Sequence, residues 1–186
     1  NSIKDIINVP KNILEDFKEF KSEFHEYQIS LFLPQQKTFK AYPPKKAKEL
    51  IKKLSEKYKC NVIAYKNDNE TVNKIFIKNS ININLCLFDT WRDLIKLLIR
   101  SKIIICTDSV VYHICNAFRM KCIAIFGHTN FNYYKTHNSN ISHFDFSDIN
   151  NPCYVGSGSN KYGKKNSCNP YCNYIDLVDP YKVVDL

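Results

Sequence analysis

Short apolar runs alternate along the chain with longer segments in which apolar residues recur at helical spacing. Buried strands are predicted at 28–33, 60–65, 81–88, 102–107 and 121–127, with a last strand at 142–146. Helices are predicted at 11–27, 44–58, 91–101, 109–120 and 179–186. Because apolar strands that alternate with helices form βα units, the pattern predicts an α/β fold, a parallel sheet with helices on both faces.

Local signals fix several ends of these elements. Prolines precede and open the helix at 44–58, and Thr90 with Asp93 closely resembles a capping box at the start of the helix at 91–101. The polar residues 66–70 are predicted to form a loop. These signals support one compact domain, or one domain with an appendage, in a chain of 186 residues.

Composition narrows the classes of protein that fit. With 44% hydrophobic and 24% charged residues the chain has the balance of a soluble globular protein, and no stretch approaches the roughly 20 apolar residues that span a bilayer. The first residues lack the apolar core of a signal peptide, and the missing initiator methionine leads us to expect a processed chain or an excised fragment.

The net charge of +9 comes from lysine far more than arginine. Base readout and bidentate phosphate clamps favour arginine, so a solvated lysine surface with weak attraction to membranes is favoured over nucleic-acid binding. We expect a cytoplasmic protein, with the inner face of the membrane as an alternative location.

The eight cysteines fall into two groups. Five lie in or beside apolar segments, where cysteine acts as a small hydrophobe, and this fits a reducing cytoplasm. Cys153, Cys168 and Cys172 lie in a polar tail. Their irregular spacing falls short of a four-ligand zinc site, so free thiols or a local disulfide are favoured over a structural metal.

The stretch CTDSVVYH, from Cys106 to His113, follows the strand at 102–107 and opens the next helix. Asp108 or Ser109 could simply cap that helix. Alternatively, the free N–H groups at the helix N-terminus could receive a phosphate, with Ser109 as an added donor. His113 is either a core histidine or a group that faces the same ligand, and spacing alone does not choose between these interpretations.

Two further loops follow predicted strands. Thr38 and Lys40 come after the strand at 28–33 and offer a hydroxyl and a cation to a phosphate, although a solvated loop is the simpler interpretation. Gly127 and Thr129 follow the strand at 121–127, where a glycine lets the backbone approach a ligand closely.

Taken in this order, these segments resemble the C-terminal half of the heptosyltransferase family, glycosyltransferase family 9, whose members have the two-domain GT-B architecture. The resemblance rests on Lys40-Ala41-Tyr42-Pro43, on the aspartate, serine and histidine of DSVVYH, and on FGHT at 126–129. It covers about residues 28–186 and implies a Rossmann-like donor-binding domain there, with residues 1–27 as an N-terminal helix or interdomain connection.

The resemblance implies a role for individual residues. Lys40 would contact the donor diphosphate with help from Thr38, and Asp68 or Glu70 would hold nucleoside hydroxyls. The phosphates and the sugar would meet Thr107, Asp108, Ser109, His113, Gly127 and Thr129. The donor would be a nucleoside-diphosphate sugar, the acceptor a glycan or a glycolipid of the lipopolysaccharide type, and no divalent cation would be obligatory.

Two departures from the family pattern keep alternatives open. Val110 occupies the position of the signature glycine, and the catalytic base of the family belongs to an N-terminal half that this chain is too short to contain. An inactive binding or interaction module that keeps the fold is therefore the main alternative. A domain like that of polysaccharide pyruvyl transferases is the other, although FGHT argues against it.

Overall fold

The computed structural model describes residues 27–35, 40–127, 139–144 and 178–184. The strands are β1 (Tyr27–Phe32), β2 (Cys60–Tyr65), β3 (Ile83–Phe88), β4 (Ser101–Thr107), β5 (Cys122–Ile125) and β6 (Ile141–Phe144). The helices are α1 (Pro44–Ser55), α2 (Asn69–Ile75), α3 (Trp91–Ile99), α4 (Val110–Ala117) and α5 (Pro180–Val184). No helix among these residues is long and apolar enough to span a bilayer.

The strands form one six-stranded sheet in the order β3-β2-β1-β4-β5-β6, and every neighbouring pair is parallel. Leu31 in the central strand β1 lies opposite Val62 on one side and Ile105 on the other. The strand order reverses between β1 and β4, so the loops that leave these two strands diverge and open a crevice at their carboxyl ends. The predicted α/β fold with a parallel sheet is confirmed.

Each face of the sheet has its own hydrophobic core. On one face α1, α2 and α5 cover residues such as Leu31, Val62 and Ile105. On the other face α3 and α4 cover alternate residues of the same strands, including Ile63 and Ile104. Since both faces are covered, the inner strands are largely buried on both sides, which explains their nearly continuous apolar runs, whereas the edge strands β3 and β6 are partly exposed.

The cysteines of the described strands and of α4 form no disulfide. Cys60, Cys106, Cys115 and Cys122 are buried in the two cores, and Cys86 is half-buried. Burial raises the pKa of Cys60 to about 12, as expected of a thiol that packs as a small apolar group.

Most predicted ends lie within two residues of those in the structure, the helices predicted at 44–58 and 109–120 end three residues earlier, and one further element was not predicted. The prediction of a loop over 66–70 is wrong at its end, because Asn69 and Glu70 belong to α2. This helix has only seven residues and buries little more than Thr71 and Ile75, so it gives no amphipathic signal. The predicted helix at 11–27 and the tail cysteines lie outside the described residues.

Candidate functional site

The crevice between β1 and β4 brings together two loops that are far apart in sequence. Lys40, after β1, lies with its Nζ atom 2.9 Å from Oδ2 of Asp108, after β4. The Lys40 side chain is 44% exposed, whereas that of Asp108 is 6% exposed. A buried carboxylate thus holds a lysine whose ammonium group still reaches solvent and an incoming ligand.

The start of α4 forms the floor beside this ion pair. Ser109 is its N-cap residue, in extended conformation, but its side chain makes no capping hydrogen bond. Within the described part of the chain, the buried Oγ1 atom of Thr107 and the buried Oγ atom of Ser109 have no hydrogen-bond partner. An uncapped helix N-terminus with unused hydroxyls is suited to an anion, because both supply donors and the helix dipole favours negative charge.

His113 lies one turn into α4 and responds to the charges of both partners of the ion pair. Burial lowers the pKa of His113 below its ordinary value, the positive charge of Lys40 lowers it further, and Asp108 opposes both. The ring also packs edge-on against Tyr112, at 5.1 Å between centroids. His113 therefore favours the neutral form in the free protein while lying within electrostatic reach of the crevice.

Contacts with β5 hold the start of α4 in place. The backbone N–H of Asp108 donates to the carbonyl of Ile125 at 3.2 Å. Tyr112, which is buried, packs edge-on against Phe126 at 5.2 Å. Gly127 is buried directly after Phe126, so it lies at the same edge of the sheet as Asp108.

Gln35, which the sequence did not single out, braces the loop that carries Lys40. Its side-chain Nε2 atom donates to the carbonyls of Leu33 and Tyr42, at 3.0 and 2.9 Å, and so joins the two ends of the loop. Its backbone N–H donates to Thr71 Oγ1 at 2.8 Å. A glutamine pair, Gln35-Gln36, directly after an apolar strand and a proline was the available signal.

The acidic residues after β2 are used within their own helix. Asp68 caps α2 by accepting from the backbone N–H of Thr71 at 3.0 Å, and it also accepts from the Thr71 hydroxyl. Glu70 pairs with Lys74. Since β2 is separated from β4 by β1, these carboxylates lie two strand spacings, roughly 10 Å, along the sheet edge from the crevice floor.

The structure therefore brings together Lys40, Thr107, Asp108, Ser109 and His113, with Gly127 at the neighbouring strand end. Asp68 and Glu70 lie further along the same edge. Thr38, Thr129 and the tail cysteines Cys153, Cys168 and Cys172 lie outside the described residues. Within the described ranges, no group of three or more potential ligand side chains could hold a metal ion.

This arrangement has the chemistry of an anion site. A half-exposed lysine, two hydroxyls without a partner in the described structure and the start of a helix lie together at this edge of the sheet. Such donors bind phosphate groups, and they stabilise negative charge that develops on a leaving group during a reaction.

Comparison with known proteins links this fold to one family. The sequence matches the model of glycosyltransferase family 9 (heptosyltransferase) over residues 11–162. No curated protein sequence matches the chain significantly.

Solved structures with the same fold include ADP-heptose lps heptosyltransferase II of E. coli. It has 17% identity and a TM-score of 0.64, with 95% of this chain and 50% of that chain covered. A glycosyl transferase family 9 protein of Veillonella parvula has 15% identity and a TM-score of 0.61, with 94% and 49% covered. E. coli heptosyltransferase WaaC with ADP has 14% identity and a TM-score of 0.57, with 73% and 41% covered. The chain thus spans at most half the length of these proteins.

Proposed function

Because the chain belongs to glycosyltransferase family 9, we propose that it forms the donor-binding domain of a glycosyltransferase. The ligand is a nucleoside-diphosphate sugar, and the whole enzyme transfers the sugar to a glycan or lipopolysaccharide-type acceptor. One solved relative contains ADP and another structure of it contains ADP-2-deoxy-2-fluoro heptose, which supports a nucleotide-sugar donor.

The observation that carries this proposal is the Lys40–Asp108 ion pair beside the uncapped start of α4. Asp108 holds the ammonium group of Lys40 at the crevice, and beside it the hydroxyls of Thr107 and Ser109 are buried without a hydrogen-bond partner in the described structure. These donors meet at the point where the strand order reverses, where ligands bind in sheets of this kind.

In this proposal the described residues act on the leaving group. Lys40 and the N-terminus of α4 stabilise the negative charge that grows on the diphosphate as the bond to the sugar breaks. They do so without an obligatory divalent cation. The acceptor hydroxyl is deprotonated by a base in the other half of the enzyme.

The remaining site residues take peripheral roles. Asp68 or Glu70 binds nucleoside hydroxyls, and Thr38, Gly127 and Thr129 complete the surroundings of the phosphates. Binding through Asp68 has a structural cost, because its carboxylate already caps α2, so Glu70, whose side chain is partly exposed in its pair with Lys74, is the better candidate.

The proposal is tested by calorimetry with ADP, GDP and UDP on the whole chain, with and without EDTA. We expect binding of at least one nucleotide at millimolar concentration or below, unchanged by EDTA. Lys40→Ala should weaken it about ten- to a hundredfold, since a hydrogen bond to a charged group contributes about 1.5–3 kcal/mol. Lys66→Ala is the matched control, because Lys66 also pairs with a carboxylate, Asp89, but after β2.

If none of the three nucleotides bound, or if Lys66→Ala weakened binding as much as Lys40→Ala, the donor-domain proposal would fail. Equal loss in the two variants would mean that the nucleotides respond to net charge alone rather than to the crevice.

A second candidate function follows from Val110. Val110 is the first residue of α4 and is 40% exposed, and it carries a side chain where the family signature has a glycine. A module that binds a phosphorylated ligand without transferring a sugar fits this feature. Tighter nucleotide-sugar binding in Val110→Gly would favour the transferase, whereas no change would favour the binding module.

A further inference from the structure

An apolar groove lies at the opposite end of the sheet from the crevice. It is a cavity of about 240 Å³ at the amino ends of β1, β4 and β5. Its walls include Ile29, Ile103 and Ile123 from the strands, together with Leu54 of α1 and Val183 of α5. The groove therefore opens over the same sheet face that α1, α2 and α5 cover.

The groove does not have the properties of a substrate site. In parallel sheets ligands bind at the carboxyl ends of the strands, and this groove is at the amino ends. Its volume is also below the roughly 300 Å³ at which ligand pockets begin. A groove of this size and lining is suited to a few apolar side chains of a protein segment.

The chain itself supplies such side chains immediately before β1. The apolar residues of the segment 11–24 recur at helical spacing: Ile13, Leu14, Phe17, Phe20 and Phe24. Gln28, the second residue of β1, lines the groove. Phe24 is four residues from Gln28, so its Cα atom lies within about 14 Å of the groove edge.

Charge around the groove also matches this segment. Residues 11–26 contain five acidic residues, Glu15, Asp16, Glu19, Glu23 and Glu26, against three lysines. The exposed Lys102 lines the groove, and two further exposed lysines lie at the same end of the sheet, Lys59 directly before β2 and Lys121 directly before β5. A second copy of the chain, with its net charge of +9, would bring like charges together at this edge.

We propose that the apolar face of residues 11–24 packs into this groove and completes the core on that side of the sheet. The segment then belongs to the same folded unit as the crevice. It does not act as a free connection that moves independently of the sheet. This inference does not depend on which ligand the crevice binds.

Photo-cross-linking in the whole chain tests the proposal. Tyr58 lines the groove and is 37% exposed, so Tyr58→p-benzoylphenylalanine should leave the fold intact. Irradiation should link position 58 to residues within 11–24 of the same molecule, identified by mass spectrometry of the monomer band. Tyr65, which is 41% exposed at the carboxyl end of β2, is the matched control and should give no link to 11–24.

A cross-linked dimer would overturn the proposal in favour of contact between copies, and the absence of a link to 11–24 would overturn it outright. A pair of substitutions provides a second measurement. Phe17→Asn should lower the melting temperature by about 5 °C or more, whereas Lys18→Asn on the polar side should change it little. Equal effects of the two substitutions would also contradict the proposal.

Discussion

The helices α3 and α4 both begin at the carboxyl end of a parallel strand, but their first turns are built differently. At α3, the Thr90 hydroxyl accepts from the N–H of Asp93, and the Asp93 carboxylate accepts from the N–H of Thr90. At α4, Ser109 makes no such bond, and the hydroxyls of Thr107 and Ser109 are buried without a partner in the described structure.

This difference separates a stabilising helix start from one available to a ligand. A capping box satisfies two of the free N–H groups at its helix start and places a carboxylate there, which disfavours an anion. At α4 the nearby carboxylate, Asp108, pairs with Lys40. The free energy that a cap would contribute is therefore absent from the free protein and can be recovered when an anion binds.

The largest expected effect comes from Thr107→Val, which removes a hydroxyl with little change in shape. If that hydroxyl serves a phosphate, nucleotide affinity should fall about ten- to a hundredfold. The free energy of unfolding without ligand should rise by about 1 kcal/mol, because a buried unpaired polar group is lost. Calorimetry and chemical denaturation measure the two quantities.

If Thr107→Val lowered both the nucleotide affinity and the free energy of unfolding, the contrast drawn between the starts of α3 and α4 would be wrong. That result would mean that the hydroxyl stabilises the folded chain and that α4 begins as α3 does, with its polar groups in structural use.

Thr90→Ala should have the opposite pattern. Loss of the capping box should lower the free energy of unfolding by about 1 kcal/mol and leave nucleotide affinity unchanged. The hydrogen bonds from Thr90 also lower the pKa of Asp93, so the contribution of the box should be lost as the pH falls through that lowered value. Urea denaturation of the wild type and the variant at pH 7 and at pH 3 would measure the contribution of the box at each pH. Reduced nucleotide binding in Thr90→Ala would contradict the view that the start of α3 serves stability and the start of α4 serves binding.

The smallest effect expected is the pH dependence due to His113. Its pKa is lowered in the folded chain, so below its ordinary value of 6.5 the unfolded chain binds more protons. The free energy of unfolding should therefore decrease as the pH falls below 6.5. A bound diphosphate should raise the pKa of His113 and strengthen binding by less than tenfold between pH 7.5 and 6.

Both pH dependences should flatten in His113→Gln. Titration calorimetry at pH 7.5 and pH 6 measures the pH dependence of nucleotide binding. If this dependence were the same in the wild type and the variant, His113 would not contribute to binding in the crevice.

The sequence predicted much of the fold because its strands are buried on both faces and read as clear apolar runs. The strand Cys60–Tyr65 was predicted without error, and the capping box at Thr90 was identified from two residues. Helix α2 was missed, since a seven-residue helix stabilised by Asp68 and Thr71 leaves no amphipathic pattern.

The candidate site was only partly predictable. Lys40 and Asp108 were each identified within their own loop, but their contact depends on the order of the strands, which local patterns do not encode. The same holds for the unused hydroxyl of Ser109, because the sequence of a capping residue does not reveal whether it caps. Gln35 was missed because its role is to join backbone groups of distant residues.

The buried Tyr42 beside the Lys40 loop has a consequence for how the chain is made. Its hydroxyl donates to the carbonyl of Val178 at 2.9 Å, a contact between residues 136 positions apart. During synthesis the Lys40 loop leaves the ribosome well before Val178 is made, so this bond can form only after a long further stretch of chain has been added. A loop of the candidate site is thus completed by a residue that is made much later than the loop itself.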